Sequence, residues 1–218
     1  MAAEAKSATE LIDAELVDAK SLPLLEAHLT EQCAVAEAAY DSRINTAILR
    51  LYAFYPQLLN PEMVTALLAK ALTTLPEPHF HLVLCQIPES LQSTPAVAAL
   101  TAMEAALQTG HFARFWDLAA SADARSVVEK TAGFAESIRD FIVLAMSITY
   151  SRVETARLAR ALNLDAAAIA AQQEARGWTV EGDSVVFKKN AYNAPKPRKF
   201  KEGMAFSELR GVMDVIAK

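Results

Sequence analysis

The sequence predicts a mainly α-helical protein, in which a stack of short helices resembling HEAT or TPR repeats precedes a winged helix and a C-terminal helix. Two patterns predict this fold. Residues 1–132 contain about seven or eight amphipathic segments, separated by Pro, Gly and Asn turns. Residues 133–190 contain three more such segments, followed by two β-rich runs around a Gly-Asp turn. Helical stacks need their ends covered, and a docked winged helix would cover one of them.

Composition limits the class of protein. The chain has 218 residues, of which 53% are hydrophobic and 22% are charged, which suits one large or two small packed domains. Its net charge of −5 disfavours a protein that binds nucleic acid mainly through the phosphates. Cys33 and Cys85 are the only cysteines, and we find no secretory segment and no apolar run of ~20 residues. We therefore expect two reduced thiols in the cytosol or nucleus.

The helices of the first predicted part are delimited by residues that cap or break helices. Residues 1–40 are acidic and carry two apolar stripes, which predicts two amphipathic helices. Asp41 and Asn60, the latter followed by proline, are typical N-terminal caps of the next two helices. Thr94 precedes a proline and is expected to open a longer helix that ends at Gly110.

Residues 133–190 carry the signals of the winged helix. Ser151 and Glu154 have the spacing of a capping box, so we expect them to open the second of its three helices. The third helix is expected to begin at Asp165 and to end at Gly177. Trp178 is expected to pin the following hairpin to these helices.

Residues 191–218 form the last predicted part. A basic stretch with two prolines, residues 188–201, is expected to be an extended linker. Ser207 is expected to cap a terminal helix whose apolar face has little else in the sequence to pack on. We therefore expect a helical repeat domain (1–132), a winged-helix domain (133–190) and a basic linker with a C-terminal helix (191–218).

Several short segments, taken together and in order, carry a resemblance to a known family. They are Ala39-Tyr40-Asp41, Leu49-Arg50-Leu51-Tyr52, Leu68-Ala69-Lys70-Ala71-Leu72, Thr109-Gly110-His111-Phe112, Phe115-Trp116, the run from Gly133 to Arg139, Ile148-Thr149-Tyr150 and Gly177-Trp178. Over about residues 10–190 the chain thereby resembles the k-subunit family of eukaryotic translation initiation factor three. That family lies within the PCI class, whose members also build the proteasome lid and the signalosome.

The resemblance implies a non-catalytic scaffold in an initiation factor that sits on the small ribosomal subunit. It implies other subunits of that factor as partners, the l subunit above all. Winged helices of such subunits lie side by side, and their C-terminal helices form a bundle. A subunit of the proteasome lid or signalosome is the alternative within the class. A winged-helix DNA-binding regulator is the alternative from another class.

The residues themselves show no catalytic pattern. His79, His81 and Cys85 are the best candidates for a metal site, but no CxxC or HExxH motif supplies further ligands. No serine lies in a G-x-S-x-G setting, and the six glycines form no phosphate-binding loop. We therefore expect no enzyme, no metal, no cofactor and no small-molecule substrate, and we expect no membrane contact.

Nucleic-acid contact is expected only at basic residues outside the third helix of the winged helix. That helix is rich in alanine and lacks the Arg, Lys or Asn that a major-groove reader carries in its leading turn. The candidates for weak RNA contact are Arg152, Arg157, Arg160, Lys188, Lys189, Lys196, Arg198, Lys199 and Lys201.

Partner binding is expected at the hairpin and the terminal helix. The second strand of the hairpin is expected to lie at a sheet edge, which can pair with another chain. The predicted partner-binding residues are Val185, Phe187, Phe206, Leu209, Val212, Met213 and Ile216.

Overall fold

A computed structural model of the chain describes residues 19–36, 39–193 and 206–216. The described residues include eight helices before the winged helix: α1 (Leu22–Ala34), α2 (Ser42–Phe54), α3 (Pro61–Leu72), α4 (His79–Leu84), α5 (Glu89–Gln92), α6 (Pro95–Gln108), α7 (Phe112–Ala119) and α8 (Ala122–Lys130). The elements that follow are α9 (Phe134–Thr149), β1 (Arg152–Glu154), α10 (Thr155–Leu162), α11 (Ala166–Arg176), β2 (Thr179–Glu181), β3 (Ser184–Val186) and α12 (Phe206–Ile216). The predicted fold class, mainly α with a small β-hairpin, is confirmed. None of the described helices has both the length and the hydropathy needed to cross a membrane.

The N-terminal caps predicted for α2 and α3 are present. Asp41 accepts hydrogen bonds from the backbone N–H groups of Arg43 and Ile44, at 3.0 and 3.1 Å. Asn60 accepts a hydrogen bond of 3.0 Å from the backbone N–H of Glu62. Each cap satisfies N–H groups that have no partner within the helix, which is why the sequence locates these helix starts.

The third helix, α3, lies at the centre of the helical stack. It contacts α1, α4, α6 and α8, and seven of its twelve residues are buried. Leu67, Leu68 and Leu72 are completely removed from solvent. Because burial of one leucine side chain contributes roughly 1.5–3 kcal/mol, this stripe holds the stack together.

The second half of the chain has the order of elements of a winged helix. Helix α9 leads into β1, helices α10 and α11 follow, and β2 and β3 form the hairpin. Both strand pairs are antiparallel, and the strand order is β1-β3-β2. Val185 of β3 therefore faces Val153 on one side and Val180 on the other.

The capping box predicted at Ser151 and Glu154 is wrong. Residues 152–154 form β1, and the backbone carbonyl of Ser151 accepts a hydrogen bond of 3.0 Å from the N–H of Phe187. Helix α10 begins at Thr155, whose hydroxyl and N–H both donate to the carbonyl of Asp183 at 3.0 Å. Pairing with β3 satisfies the backbone here, so the helix has to begin one turn later than predicted.

The prediction that the second hairpin strand lies at a sheet edge is also wrong. β3 is the central strand, because β1 pairs with the side that a two-stranded hairpin would leave open. Val185 is 0% exposed and Phe187 is 3% exposed. The strands at the edges of the sheet are β1 and β2.

The helical stack and the winged helix share one hydrophobic core. The buried apolar residues form a single cluster that continues from α1 to the end of β3. The backbone N–H of Ala132 donates to the carbonyl of Cys33 at 2.8 Å. Next to it, Gly133 opens α9 with φ at +70°. A Cβ atom at Gly133 would lie 2.8 Å from the Cβ of Ala36, so glycine permits both the backbone turn and this close approach. The division into three domains stays a prediction.

Candidate interaction surfaces

The terminal helix α12 exposes apolar side chains. Leu209 is 36% exposed, Met213 is 64% exposed and Ile216 is 78% exposed. Val215, which the sequence reasoning did not select, is 75% exposed. The side chains of Phe206 and Val212, which were also predicted to bind a partner, lie outside the described residues.

The hairpin presents a different surface from the one predicted. Phe187 packs edge-on against Trp178, with ring centroids 5.5 Å apart, so the two rings join the beginning and the end of the hairpin. Both Val185 and Phe187 are buried and present no surface to a partner in this fold. Val180 in the edge strand β2 is 44% exposed instead. Sequence reasoning missed Val180 because the third strand was not recognised.

The structure separates the basic residues that were predicted to contact RNA. Arg152 forms an ion pair with Glu181 across the sheet. Arg157 and Arg160 are exposed on α10, and Lys188 and Lys189 are exposed after β3, beside α9. The remaining candidates, Lys196, Arg198, Lys199 and Lys201, lie outside the described residues.

Arg157 and Arg160 line a groove of about 490 Å³ between the helical stack and the winged helix. We call it the α7–α10 groove. Helix α7 contributes Phe112 and Ala113, and Tyr150 follows the end of α9. Tyr150 is 43% exposed. The groove therefore combines two cationic side chains with aromatic and small apolar ones.

One side of the α7–α10 groove is fixed by hydrogen bonds to the end of α10. The indole Nε1 of Trp116 donates to the carbonyl of Ala161 at 2.8 Å. The Nε of Arg139 donates to the carbonyl of Leu162 at 3.2 Å, and its guanidinium lies over the Trp116 ring, 5.3 Å from the centroid. These contacts satisfy the last carbonyls of α10 and join it to α7 and α9.

Helix α11 has its single cationic side chain already engaged. Arg176 forms an ion pair with Asp140 of α9, and its guanidinium lies 5.8 Å from the centroid of the Trp178 ring. A recognition helix needs free donors for base edges, so this arrangement favours packing within the protein over major-groove contact.

The three residues considered as a metal site lie in different environments. His79 stacks on Tyr40 at 4.7 Å, and its Nε2 lies 2.7 Å from a carboxylate oxygen of Glu77. His81 points toward Glu104, 3.4 Å from its Oε1, while Cys85 is exposed. The part of the chain that the structure describes contains no group of three His, Cys, Asp or Glu residues that could hold a metal ion.

Glu104, Lys70 and Cys33 are buried titratable groups of the helical stack. Burial raises the pKa of Glu104, opposed by nearby His81 and by the hydrogen bond that Gln108 donates to it. Burial lowers the pKa of Lys70 and raises that of the Cys33 thiol, and the mutual interaction of these two groups opposes both shifts. None of the three lines the α7–α10 groove.

Comparison with known proteins agrees with this architecture. The model of the CSN8/PSMD8/EIF3K family matches residues 58–199, from just before α3 through the whole winged helix. The chain belongs to this family. The same stretch contains the α7–α10 groove and the three-stranded sheet.

Individual members of the CSN8/PSMD8/EIF3K family match over most of the chain. Eukaryotic translation initiation factor 3 subunit K of Danio rerio is 31% identical over 89% of this chain and 87% of its own length. The protein of that name from Neurospora crassa is 35% identical over 82% of this chain and 79% of its own length. The human protein of that name is 29% identical over 89% of this chain and 88% of its own length.

Proposed function

We propose that the chain is the K subunit of eukaryotic translation initiation factor 3 and acts there as a non-catalytic interaction subunit. The observation that carries this proposal is the similarity to proteins of that name over most of both chains. In this role the protein works in the cytoplasm with the other subunits, supporting assembly on the small ribosomal subunit. The family also includes CSN8 and PSMD8, but the individual relatives favour the initiation factor over the signalosome and the proteasome lid.

Two surfaces support the role of an interaction subunit. The apolar side chains of α12 form a helix face suited to a bundle with helices of a neighbouring subunit, the l subunit above all. The edge strand β2 suits pairing with the sheet of a neighbouring winged helix, because an edge strand has unpaired backbone groups. Val180 and the exposed residues of α12 replace Val185 and Phe187 as the proposed contacts.

The experiment is an affinity purification of the tagged protein from cytosol at low and high salt, with bound proteins identified by mass spectrometry. We expect initiation-factor subunits at both salt concentrations and ribosomal proteins only at low salt, because screening weakens exposed charge contacts more than apolar ones. Recovery of signalosome or proteasome-lid subunits would reassign the chain within its family.

Variants locate the surface that holds the complex together. The double substitution Leu209→Asp/Met213→Asp is expected to lose the initiation-factor subunits while the Tm of the isolated protein stays unchanged. Val180→Lys is expected to weaken recovery by blocking strand addition. The control is Leu24→Asp/Leu82→Asp, at two exposed leucines on α1 and α4, which should leave recovery intact. Full recovery with the α12 variant would contradict the proposed role of this helix.

A further inference from the structure

We propose that the α7–α10 groove binds a short acidic segment of a partner protein, with a phenylalanine or leucine side chain of that segment as its anchor. The proposal goes beyond membership of the initiation factor and does not depend on it. It rests on the charges at the rim of the groove, the apolar surface within it and the rigidity of its frame.

The charge at the rim comes from Arg157 and Arg160. They lie three residues apart on α10 and therefore project from the same helix face. Both are exposed, and neither forms an ion pair within the described ranges. A guanidinium binds a carboxylate through two parallel N–H···O hydrogen bonds, so this pair suits two acidic side chains of an extended segment.

The interior of the groove is apolar and has unoccupied volume for a side chain of the partner. Ala113 and Ala156 line it with single methyl groups, and Phe112 and Tyr150 provide aromatic surface. Gly110 also lines the groove. A Cβ atom built at Gly110 would have no heavy atom within 4 Å. A volume of about 490 Å³ is enough for one large side chain with the backbone on either side of it.

The helices around the groove are already joined by hydrogen bonds in the absence of a partner. The Trp116–Ala161 and Arg139–Leu162 hydrogen bonds hold α10 against α7 and α9. Phe115, which is fully buried, packs edge-on against Trp116 with centroids 5.0 Å apart. A preformed site loses little entropy on binding, which favours recognition of a short segment.

The same features favour an acidic peptide over RNA. The groove contains Glu154 beside the two arginines, so its net positive charge is small and suits a ligand with few negative charges better than a continuous phosphate backbone. Non-specific RNA binding needs several phosphate contacts, whereas this groove offers two cations in a chain of net charge −5. An acidic peptide needs only those two cations and an apolar pocket.

The test uses the full chain and fluorescence anisotropy. The probe is a short fluorescein-labelled peptide with one phenylalanine flanked on both sides by aspartates and glutamates. Comparison probes replace the acidic residues by lysine, replace the phenylalanine by alanine, or consist of single-stranded RNA. The variants are Arg157→Glu/Arg160→Glu, Ala156→Trp, which fills the groove without changing charge, and the control Arg50→Glu/Arg125→Glu on α2 and α8.

We expect the acidic peptide to bind and the lysine and alanine probes to bind more weakly. Arg157→Glu/Arg160→Glu should weaken binding roughly tenfold or more, as expected for the loss of charge-assisted hydrogen bonds. Ala156→Trp should weaken it as well, and the control should not. Absence of peptide binding, or equal losses in the control and the groove variants, would overturn the proposal. So would RNA binding at the groove in place of the peptide, which would assign the site to nucleic acid.

Discussion

Glu104 illustrates how one buried carboxyl group affects the stability of this protein. Glu104 is only 4% exposed. Its Oε1 accepts a hydrogen bond from the side chain of Gln108 and lies 3.4 Å from the Nε2 of His81. Burial raises its pKa, so the folded protein binds this proton more tightly than the unfolded chain. The resulting stabilisation is complete below the unfolded pKa of about 4.3 and is lost as the pH rises through the folded pKa.

Glu104→Gln is therefore expected to stabilise the protein at neutral pH. Glutamine keeps the oxygen that accepts from Gln108 and removes the buried charge. We expect Tm to rise by roughly 2–4 °C at pH 7, the shift that about 1 kcal/mol gives in a protein of this size, and the difference to shrink toward pH 4. Thermal unfolding followed by circular dichroism measures this, with Glu31→Gln at an exposed site of α1 as the control. A lower Tm at pH 7 would show that the contact with His81 outweighs burial.

At the scale of elements, the start of α10 depends on the sheet and not on a local cap. The hydroxyl of Thr155 donates to the carbonyl of Asp183, and Ser151 takes part through its backbone carbonyl. The two side chains are therefore expected to differ in energetic importance, although a capping box would make Ser151 the important one.

Ser151→Ala is expected to change the free energy of unfolding by less than about 0.5 kcal/mol, as at an ordinary surface position. Thr155→Ala should cost about 1 kcal/mol through the lost hydrogen bond. Urea denaturation of the two variants measures both changes in the free energy of unfolding. It thereby shows whether residues 152–154 form a strand or whether Ser151 caps a helix. A cost of about 1 kcal/mol for Ser151→Ala, the usual effect of losing a helix cap, would contradict the strand.

The junction between the helical stack and α9 is the second feature at this scale. Gly133 and Gly110 both have positive φ, at +70° and +75°, but only Gly133 lies against another part of the chain. Alanine at either position has to adopt a left-handed backbone, which costs about 1–2 kcal/mol. Only Gly133→Ala adds a clash with Ala36.

Gly133→Ala is consequently expected to destabilise the protein more than Gly110→Ala. The difference in the free energy of unfolding, measured by urea denaturation, should be about 1 kcal/mol or more, as for overpacking in a core. Equal costs for the two variants would mean that the end of α1 moves away freely from α9.

At the scale of the whole molecule, Trp116 connects the helical stack to the winged helix. Its indole donates to the winged helix, its ring supports the Arg139 guanidinium, and it packs against the fully buried Phe115. Because the hydrophobic core is continuous across this joint, we expect the stack and the winged helix to unfold in one transition.

Trp116→Phe should lower the stability of both parts together, by about 1–2 kcal/mol, since it removes a hydrogen bond and weakens the cation–π contact. Tyr150→Phe, at an exposed aromatic residue of the same groove, is the control and should stay within about 0.5 kcal/mol of the parent. Denaturation followed by tryptophan fluorescence and by circular dichroism measures both effects. Two separate transitions in the parent protein would contradict a shared core.

Most helix boundaries could be predicted because the signals that set them are local, whereas the start of α10 and the strand β1 before it could not. Asp41 and Asn60 cap N–H groups two or three residues away, and Gly177 ends α11 through its own positive φ. The apolar stripe of α3 repeats every three or four residues and marks its buried face. These interactions span less than two helical turns, so the sequence by itself determined the helical stack, the three helices of the winged helix and the hairpin.

The tertiary structure decided what depends on residues distant in the chain. Strand β1 is only three residues long and exists because β3 pairs with it across about thirty residues, which also placed Val185 in the centre of the sheet. Arg152 is engaged by Glu181, 29 positions away, whereas Arg157 and Arg160 remain exposed in a groove completed by α7. The bond that fixes this groove joins Trp116 to Ala161, 45 positions apart. Local propensity carries no information about such pairs, because their geometry is set only when the helices pack.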